Sequence, residues 1–99
     1  KIYVTDDNPR REDPKKIRRS IIKNLKKGTF LEIGNREKAI QKSIFNAKPF
    51  EIILISGKGH ETYQDYGTRM IKISDKSIVN KIQYKKKFKK EKYNYFYNF

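Results

Sequence analysis

Two short polar segments carry the side chains best suited to bind a small ligand. The first is Asp7-Asn8-Pro9-Arg10. Pro9 has a fixed φ angle and disfavours the helical region for Asn8, which makes the turn rigid. Asn8 offers both a hydrogen-bond donor and an acceptor, and Arg10 offers a planar guanidinium for a carboxylate or phosphate. The segment therefore suits recognition of a carboxylate on a zwitterion, although a plain turn with solvated charges fits the same residues.

The second segment is Gly57-Lys58-Gly59-His60-Glu61, with Tyr63-Gln64 shortly after it. Its two glycines allow a ligand to approach the backbone closely. It lacks the spacing of a Walker A phosphate-binding loop. Lys58 and His60 are the candidates for catalysis. A lone histidine is more often structural, but a polar glycine loop after an apolar strand favours a functional role.

The hydrophobic pattern predicts alternating strands and helices. Short β-branched runs predict strands at 2–5, 29–33, 51–56 and 70–73. Apolar residues at helical spacing predict a first helix at 14–27, with Asp13 as its N-cap and Gly28 as its C-cap. A second helix is capped by Asn35 and stopped by Pro49, and a last one begins at Ser74 or Asp75.

The same pattern predicts which side chains are buried. The apolar run 52–55 is typical of a strand covered on both faces. The stripes expected to face the core are Ile17, Ile21, Ile22 and Leu25 in the first helix, Ala39, Ile40, Ile44 and Ala47 in the second, and Ile78, Val79 and Ile82 in the last.

The order of these elements predicts an α/β layered fold with right-handed crossovers. In such folds, ligands bind beyond the carboxyl ends of the strands. The segments 7–11 and 57–64 both follow strands at that end. We therefore expect them to be neighbours in space, although about 50 residues separate them in sequence.

Composition limits the classes of protein. The 99 residues are enough for one small domain, and an apolar fraction of 35% is low for a well-filled core, so we expect part of something larger. The absence of cysteine excludes disulfides and thiolate zinc sites. No apolar run reaches the roughly 18–20 residues that span a bilayer, and residues 1–11 do not form a signal peptide. A cytoplasmic protein with no membrane partner is expected.

The net charge of +14 permits a polyanionic partner. The abundant residues Lys, Asn, Ile, Tyr and Phe are also those of A/T-rich codons, which explains the charge without any partner. Residues 85–99 form a basic and aromatic tail. It could bind single-stranded nucleic acid, but we expect a disordered terminus after a domain at 1–84. A basic nucleic-acid-binding module and a non-functional remnant remain the alternatives.

Four segments in order resemble the Mur ligases that add the third amino acid of the cell-wall peptide. Residues 5–10, with Glu12 and Pro14, resemble the turn of these enzymes, and residues 55–61 with Tyr63-Gln64 resemble a second signature. Asn35-Arg36-x-x-Ala39-Ile40 is similar to a helix start of the family, with Asn35 in place of the usual Asp. Ser74-Asp75-Lys76 matches more loosely, with Lys76 in place of Arg.

This resemblance implies a fold and an activity. The fold would be an incomplete Mur ligase C-terminal domain at 1–84, a small Rossmann-like three-layer α/β arrangement with a mostly parallel sheet. The activity would be ATP- and Mg²⁺-dependent amide formation that adds meso-diaminopimelate to UDP-MurNAc-L-Ala-D-Glu in peptidoglycan synthesis. ATP and the UDP-sugar would be held by other domains, so we expect this chain to be inactive alone and to hold no metal.

The resemblance also implies roles for individual residues. Arg10 would bind the distal carboxylate of meso-diaminopimelate, with Asn8 beside it and Asp7 in support. Glu61 would bind the distal ammonium, and Gly57 would offer its backbone. Lysine lacks that distal carboxylate, so a pocket with an arginine would reject it.

Overall fold

The structure, a computed structural model, describes residues 1–87 and 95–98. This part of the chain contains three helices and six short strands. The helices are α1 (Pro14–Ile22), α2 (Arg36–Asn46) and α3 (Asp75–Lys87); the strands are β1 (Ile2–Val4), β2 (Phe30–Glu32), β3 (Ile52–Ile55), β4 (Tyr63–Asp65), β5 (Met70–Lys72) and β6 (Tyr95–Asn98).

The first two helices begin at the predicted caps. The Asp13 carboxylate accepts a hydrogen bond from the backbone N–H of Lys15, and Pro14 lies in the first turn, where its missing N–H costs nothing. The Asn35 side chain accepts a hydrogen bond from the Lys38 N–H at 2.9 Å. Both predicted N-caps are therefore confirmed.

Helix α1 is shorter than predicted, because it ends at Ile22 and not at Lys27. The N–H of Leu25 bonds to the carbonyl of Ile22, which is the tighter spacing of a turn. Gly28 then adopts a φ of 86°, a left-handed conformation that favours glycine, within the turn that leads to β2. Gly28 therefore belongs to this turn and is not the helix C-cap.

The strands form three separate pairs. β1 and β2 are parallel, with Ile2 opposite Phe30; β3 and β6 are parallel, with Ile52 opposite Tyr95; β4 and β5 are antiparallel. The α/β class is confirmed. The single, mostly parallel sheet of a Rossmann-like three-layer arrangement is not, because within the described residues the strands do not join into one sheet.

The predicted tail begins at residue 85, within the last helix that the structure describes. Helix α3 continues to Lys87, and residues 95–98 form β6. Residues 88–94 and 99, which belong to the same predicted tail, lie outside the described residues. None of the helices described has the length and hydropathy that a bilayer-spanning segment requires.

The core lies where α2 and α3 pack against β3. The predicted stripes of α2 and α3 are confirmed, because every one of their residues is buried. The prediction that β3 is covered on both faces is wrong: Ile55 is buried in the core, whereas Ile52 is 64% and Leu54 62% exposed. The α1 stripe is confirmed only in part, because Ile17, Ile22 and Leu25 are half-buried whereas Ile21 is 47% exposed. The core cluster consists of Ile40, Ile44, Ile55, Ile78, Val79 and Ile82.

Candidate functional site

The two predicted ligand-binding segments lie side by side. The segment after β1 and the segment after β3 are joined by a hydrogen bond in which Asn8 Nδ2 donates to Glu61 Oε2 at 3.1 Å. Lys58 Nζ adds a second connection, 2.9 Å from Asn8 Oδ1. The expected proximity of these segments is therefore confirmed. The binding roles of their residues remain predictions.

Lys58 lies at the centre of this junction. Its side chain is 0% exposed, and its ammonium is 3.3 Å from Asp7 Oδ1 and 3.4 Å from Glu61 Oε2, in addition to its contact with Asn8. A buried charge is stable only when it is paired and hydrogen-bonded. These contacts satisfy the ammonium, so Lys58 holds the two segments together and does not face the cleft as a free cation.

Glu61 remains more than half exposed at the edge of the junction. Its hydrogen bond from Asn8 lowers the pKa of the carboxyl below its usual 4.5, and the hydrogen bond and positive charge of Lys58 lower that pKa further. Glu61 is therefore a stable anion at neutral pH that can accept a ligand ammonium.

Gly57 brings the second segment close to Asp7. Its φ is 109°, which side-chain-bearing residues rarely adopt, and a Cβ there would lie 3.0 Å from Asp7 Oδ2. The glycine is therefore required both by its backbone conformation and by the approach of the Asp7 carboxylate.

Arg10 extends from the first segment into solvent. Its backbone is left-handed, with a φ of 53°, and its N–H donates to the Asp65 carbonyl at 2.8 Å. Its side chain is 71% exposed, and its Nε lies 3.9 Å from Asp65 Oδ2. This loose ion pair leaves most of the guanidinium available for a ligand.

The β4–β5 hairpin positions the Arg10 turn. A Cβ at Gly67 would lie 2.6 Å from the Arg10 carbonyl oxygen, so only glycine allows this packing. Gln64 is buried in β4, and its Nε2 donates to the carbonyls of Asp6 and Asp7 at 3.1 and 2.9 Å. The sequence pattern around Gly67 indicates no role in the site, and Gln64 is recognisable only as part of a signature.

Arg36 joins the carboxyl ends of β1 and β3. Its guanidinium donates to the carbonyl of Asp6 at 3.2 Å and to that of Ser56 at 3.0 Å. It also forms a bidentate pair with the fully buried Asp75 at the start of α3, at 2.8 and 2.7 Å. The two strands from which the binding segments leave are therefore fixed to each other through one side chain.

Asp6 forms a second buried network beneath the first segment. Its carboxylate accepts hydrogen bonds from Arg18 of α1 and from the hydroxyl of Tyr66, the latter at 2.7 Å. Burial and the hydrogen bond to Asp6 raise the pKa of Tyr66 to about 12. Asp6 is therefore a structural anion and not a ligand-binding one.

The two segments border a cleft of about 700 Å³ that contains the predicted recognition groups. Arg10 and Glu61 line this same cleft, as expected. Asp7, Asn8 and Glu12 add polar groups, whereas Ile17 and Ile21 give it an apolar wall. His60 is exposed and is not among the described residues that line the cleft.

A second cavity, of about 740 Å³, lies between β1 and β3 on α2. Side chains such as Ile52 and Leu54 line it, and it reaches Thr5 and Ser56 but contains neither Arg10 nor Glu61. Because ligand sites combine a concave surface with convergent polar groups, the cleft beside Arg10 is the better candidate. Within residues 1–87 and 95–98, no group of three or more His, Asp or Glu side chains could hold a metal ion.

Comparison with known proteins decides the family. No family model matches the chain. The chain is 49% identical over 81 residues to the UDP-N-acetylmuramoyl-L-alanyl-D-glutamate--2,6-diaminopimelate ligase of Rickettsia felis, which covers 82% of the chain and 15% of that relative. It is 48% identical over 80 residues to the ligase of the same name from Rickettsia prowazekii, covering 81% of the chain and 17% of the relative.

A less similar relative has the same enzyme name. The ligase numbered 1 of that name from Clostridium acetobutylicum is 39% identical over 77 residues, or 78% of the chain and 16% of the relative. The chain belongs to the Mur ligase family. It spans about a sixth of the length of these curated relatives.

Membership of the Mur ligase family accounts for the resemblance at Asn35-Arg36 and at Ser74-Asp75. In this structure the two segments meet, because Arg36 from one binds Asp75 from the other. The contact between these segments was not predicted from the sequence. The one signal that could have indicated a buried Arg36 is its position four residues before Ile40, because residues four apart share one helical face.

Proposed function

We propose that the cleft beside Arg10 binds meso-diaminopimelate. In this proposal, the chain supplies the amino-acid-binding part of an ATP-dependent ligase that joins meso-diaminopimelate to UDP-MurNAc-L-Ala-D-Glu in peptidoglycan synthesis. The observation that carries the proposal is that Arg10 and Glu61, about 50 residues apart in sequence, line one cleft. The relatives are named as 2,6-diaminopimelate ligases, which supports both the proposed amino acid and the proposed ligation.

The charges of the cleft are complementary to the distal end of meso-diaminopimelate, which carries a carboxylate and an ammonium. Arg10 and the Asn8 amide would bind the carboxylate, whereas Glu61 would bind the ammonium with Asp7 in support. Gly57 would offer its backbone. The apolar wall formed by Ile17 and Ile21 would contact the methylene chain between the two amino-acid centres.

Discrimination against lysine would depend on Arg10. When a polar pocket loses a partner in the ligand, the unpaired group can reduce affinity by on the order of 10⁴-fold if it is desolvated. Arg10 is 71% exposed, so water can still solvate it when lysine binds. We therefore expect a smaller preference for meso-diaminopimelate, of about 10- to 100-fold.

The proposal assigns only the amino acid to this part of the chain. ATP, Mg²⁺ and the UDP-MurNAc-dipeptide are proposed for the whole enzyme, and no described residue is assigned to them. We also propose that the 99 residues alone do not catalyse the ligation. The role of this segment would be to hold the amino acid so that its amino group can attack the activated carboxyl group.

Calorimetric titration of the chain with meso-diaminopimelate and with L-lysine tests the proposal. The wild-type chain should prefer meso-diaminopimelate. Arg10→Ala should weaken meso-diaminopimelate binding by about 10-fold or more while leaving lysine binding nearly unchanged. Arg19→Ala, at an exposed arginine of α1, is the matched control. Equal affinity of the wild-type chain for both amino acids would contradict the proposal.

A further inference from the structure

The buried ammonium of Lys58 contacts three residues of the proposed amino-acid site but has no place for a ligand. We propose that Lys58 is a positioning residue that fixes the direction of the Asn8 amide, so that Asn8 meets the ligand as a hydrogen-bond donor. This inference rests on the proposed function, because it explains how the same cleft selects a carboxylate.

Lys58 acts through its neighbours because its own hydrogen bonds are fully used. An ammonium has three N–H donors. Three oxygens surround it, Asp7 Oδ1 at 3.3 Å, Asn8 Oδ1 at 2.9 Å and Glu61 Oε2 at 3.4 Å. Because its side chain is also 0% exposed, no donor remains for a bound amino acid.

The Asn8 amide can adopt only one of its two orientations in this environment. Its Oδ1 accepts from Lys58 Nζ and from the backbone N–H of Asp65, both at 2.9 Å. A carbonyl oxygen has two lone pairs, so both are used. The reversed amide would place its NH₂ group against an ammonium and an N–H, leaving donors without acceptors at a half-buried position.

The fixed oxygen determines what Asn8 presents to the cleft. One N–H of Nδ2 donates to Glu61 Oε2 at 3.1 Å, and the second is not bonded within the described residues. Asn8 lines the same cleft as Arg10. The two groups together form a donor pair for a carboxylate, while Glu61 stays available for an ammonium. Without Lys58, only the Asp65 N–H would hold Oδ1, so the reversed amide, whose oxygen repels a carboxylate, would be populated more often.

A double-mutant cycle tests this dependence. We expect Lys58→Met to weaken meso-diaminopimelate binding by about 10- to 100-fold, the range for a hydrogen bond to a charged group. If Lys58 acts through the amide, adding Lys58→Met to the Asn8→Ala variant, which lacks that amide, should weaken meso-diaminopimelate binding by at most a few-fold more. A general structural role would give the same loss in both backgrounds, and that result, or no loss at all, would overturn the proposal.

Controls separate positioning from loss of folding. Lys42→Met, at an exposed lysine of α2, should leave binding unchanged. Thermal unfolding followed by circular dichroism should show that each variant is folded. If Lys58→Met does not fold, Lys58→Gln replaces it; because its amide has at most two donors for the three oxygens, the loss of binding should be smaller but should again shrink in the Asn8→Ala background.

A ligand-free measurement separates this inference from the proposed function. In the wild-type chain, NMR should show nuclear Overhauser contacts from the Asn8 side-chain amide protons to the Glu61 methylene protons. These contacts should disappear in Lys58→Met. If the wild-type chain shows them, Lys58→Met loses them and the wild-type chain does not bind meso-diaminopimelate, the proposed function fails while Lys58 is still shown to orient Asn8. If the wild-type chain lacks them, the inference about Lys58 fails even when the amino acid binds.

Discussion

Glu61 shows how neighbouring side chains control the ionisation of a group that stays more than half exposed. The largest cause of its lowered pKa is the hydrogen bond from Asn8, followed by the hydrogen bond and the charge of Lys58. All three favour the charged carboxylate. The contacts therefore stabilise the fold at pH values above about 4.5, and this contribution is lost as the pH falls through the lowered pKa.

Removal of the main contact should reverse this effect. In Asn8→Ala, the pKa of Glu61 should rise towards 4.5, because the first of its stabilising hydrogen bonds is gone. A pH titration of the Glu61 side-chain carboxyl ¹³C shift measures this directly. Asn80→Ala, at an exposed asparagine of α3, is the control and should leave the pKa unchanged. An unchanged pKa in Asn8→Ala would show that this hydrogen bond is not made in solution.

At the scale of elements, the starts of two helices and the ends of two strands meet at a single ion pair. Arg36 opens α2, Asp75 opens α3, and the guanidinium also binds the carbonyls that follow β1 and β3. A buried pair of this kind contributes little compared with well-packed apolar residues, but removal of one partner leaves the other charge buried and unpaired. The arrangement of these four elements therefore depends on both residues.

Arg36→Met should destabilise the chain by about 3–5 kcal/mol, because Asp75 would remain buried without its partner. Urea unfolding followed by circular dichroism measures the loss. The double variant Arg36→Met with Asp75→Leu should recover part of it, since the buried charge is then absent. Lys38→Met, at an exposed position of the same helix, should change stability by less than about 0.5 kcal/mol. A loss below about 1 kcal/mol in Arg36→Met would contradict the role of the pair.

The elements that could be predicted from the sequence are those with local causes. Asp13 and Asn35 act as caps through neighbouring N–H groups, and the α2 stripe follows from helical spacing alone. β4 was missed, because its central Gln64 interrupts any apolar pattern and the strand exists only through pairing with β5. The proximity of Asn8 and Glu61 followed from the rule that strand ends carry binding segments.

Which side chains of the site bind each other could not be predicted from the sequence in the same way. A lysine between two glycines is normally solvent-exposed, so the burial of Lys58 has no signature in the sequence. It depends on Asp7, Asn8 and Glu61 arriving from two distant segments. Gly67 is a similar case in part: its φ of 82° favours glycine locally, but the close approach of the Arg10 carbonyl comes from a distant turn.

At the scale of the whole molecule, burial is concentrated on one side of β3. Ile55 packs into the cluster of α2 and α3, whereas Ile52 and Leu54, which alternate with it, are exposed. Successive residues of a strand point to opposite faces, so this pattern means that the core covers one face of β3. The unbroken apolar run of this strand predicts burial on both faces, but only one face of the strand is buried in the folded chain.

This asymmetry predicts very different costs for two similar truncations. Ile44→Ala should destabilise the chain by about 2–5 kcal/mol, because Ile44 is fully buried and its loss leaves a cavity. Leu54→Ala should cost less than about 1 kcal/mol, since most of that side chain already contacts water. Urea unfolding of both variants at several protein concentrations measures the difference. An equally large, concentration-dependent loss for Leu54→Ala would show that another copy of the chain covers this face of β3 in solution, whereas an equally large loss at every concentration would mean that the core itself extends to this face.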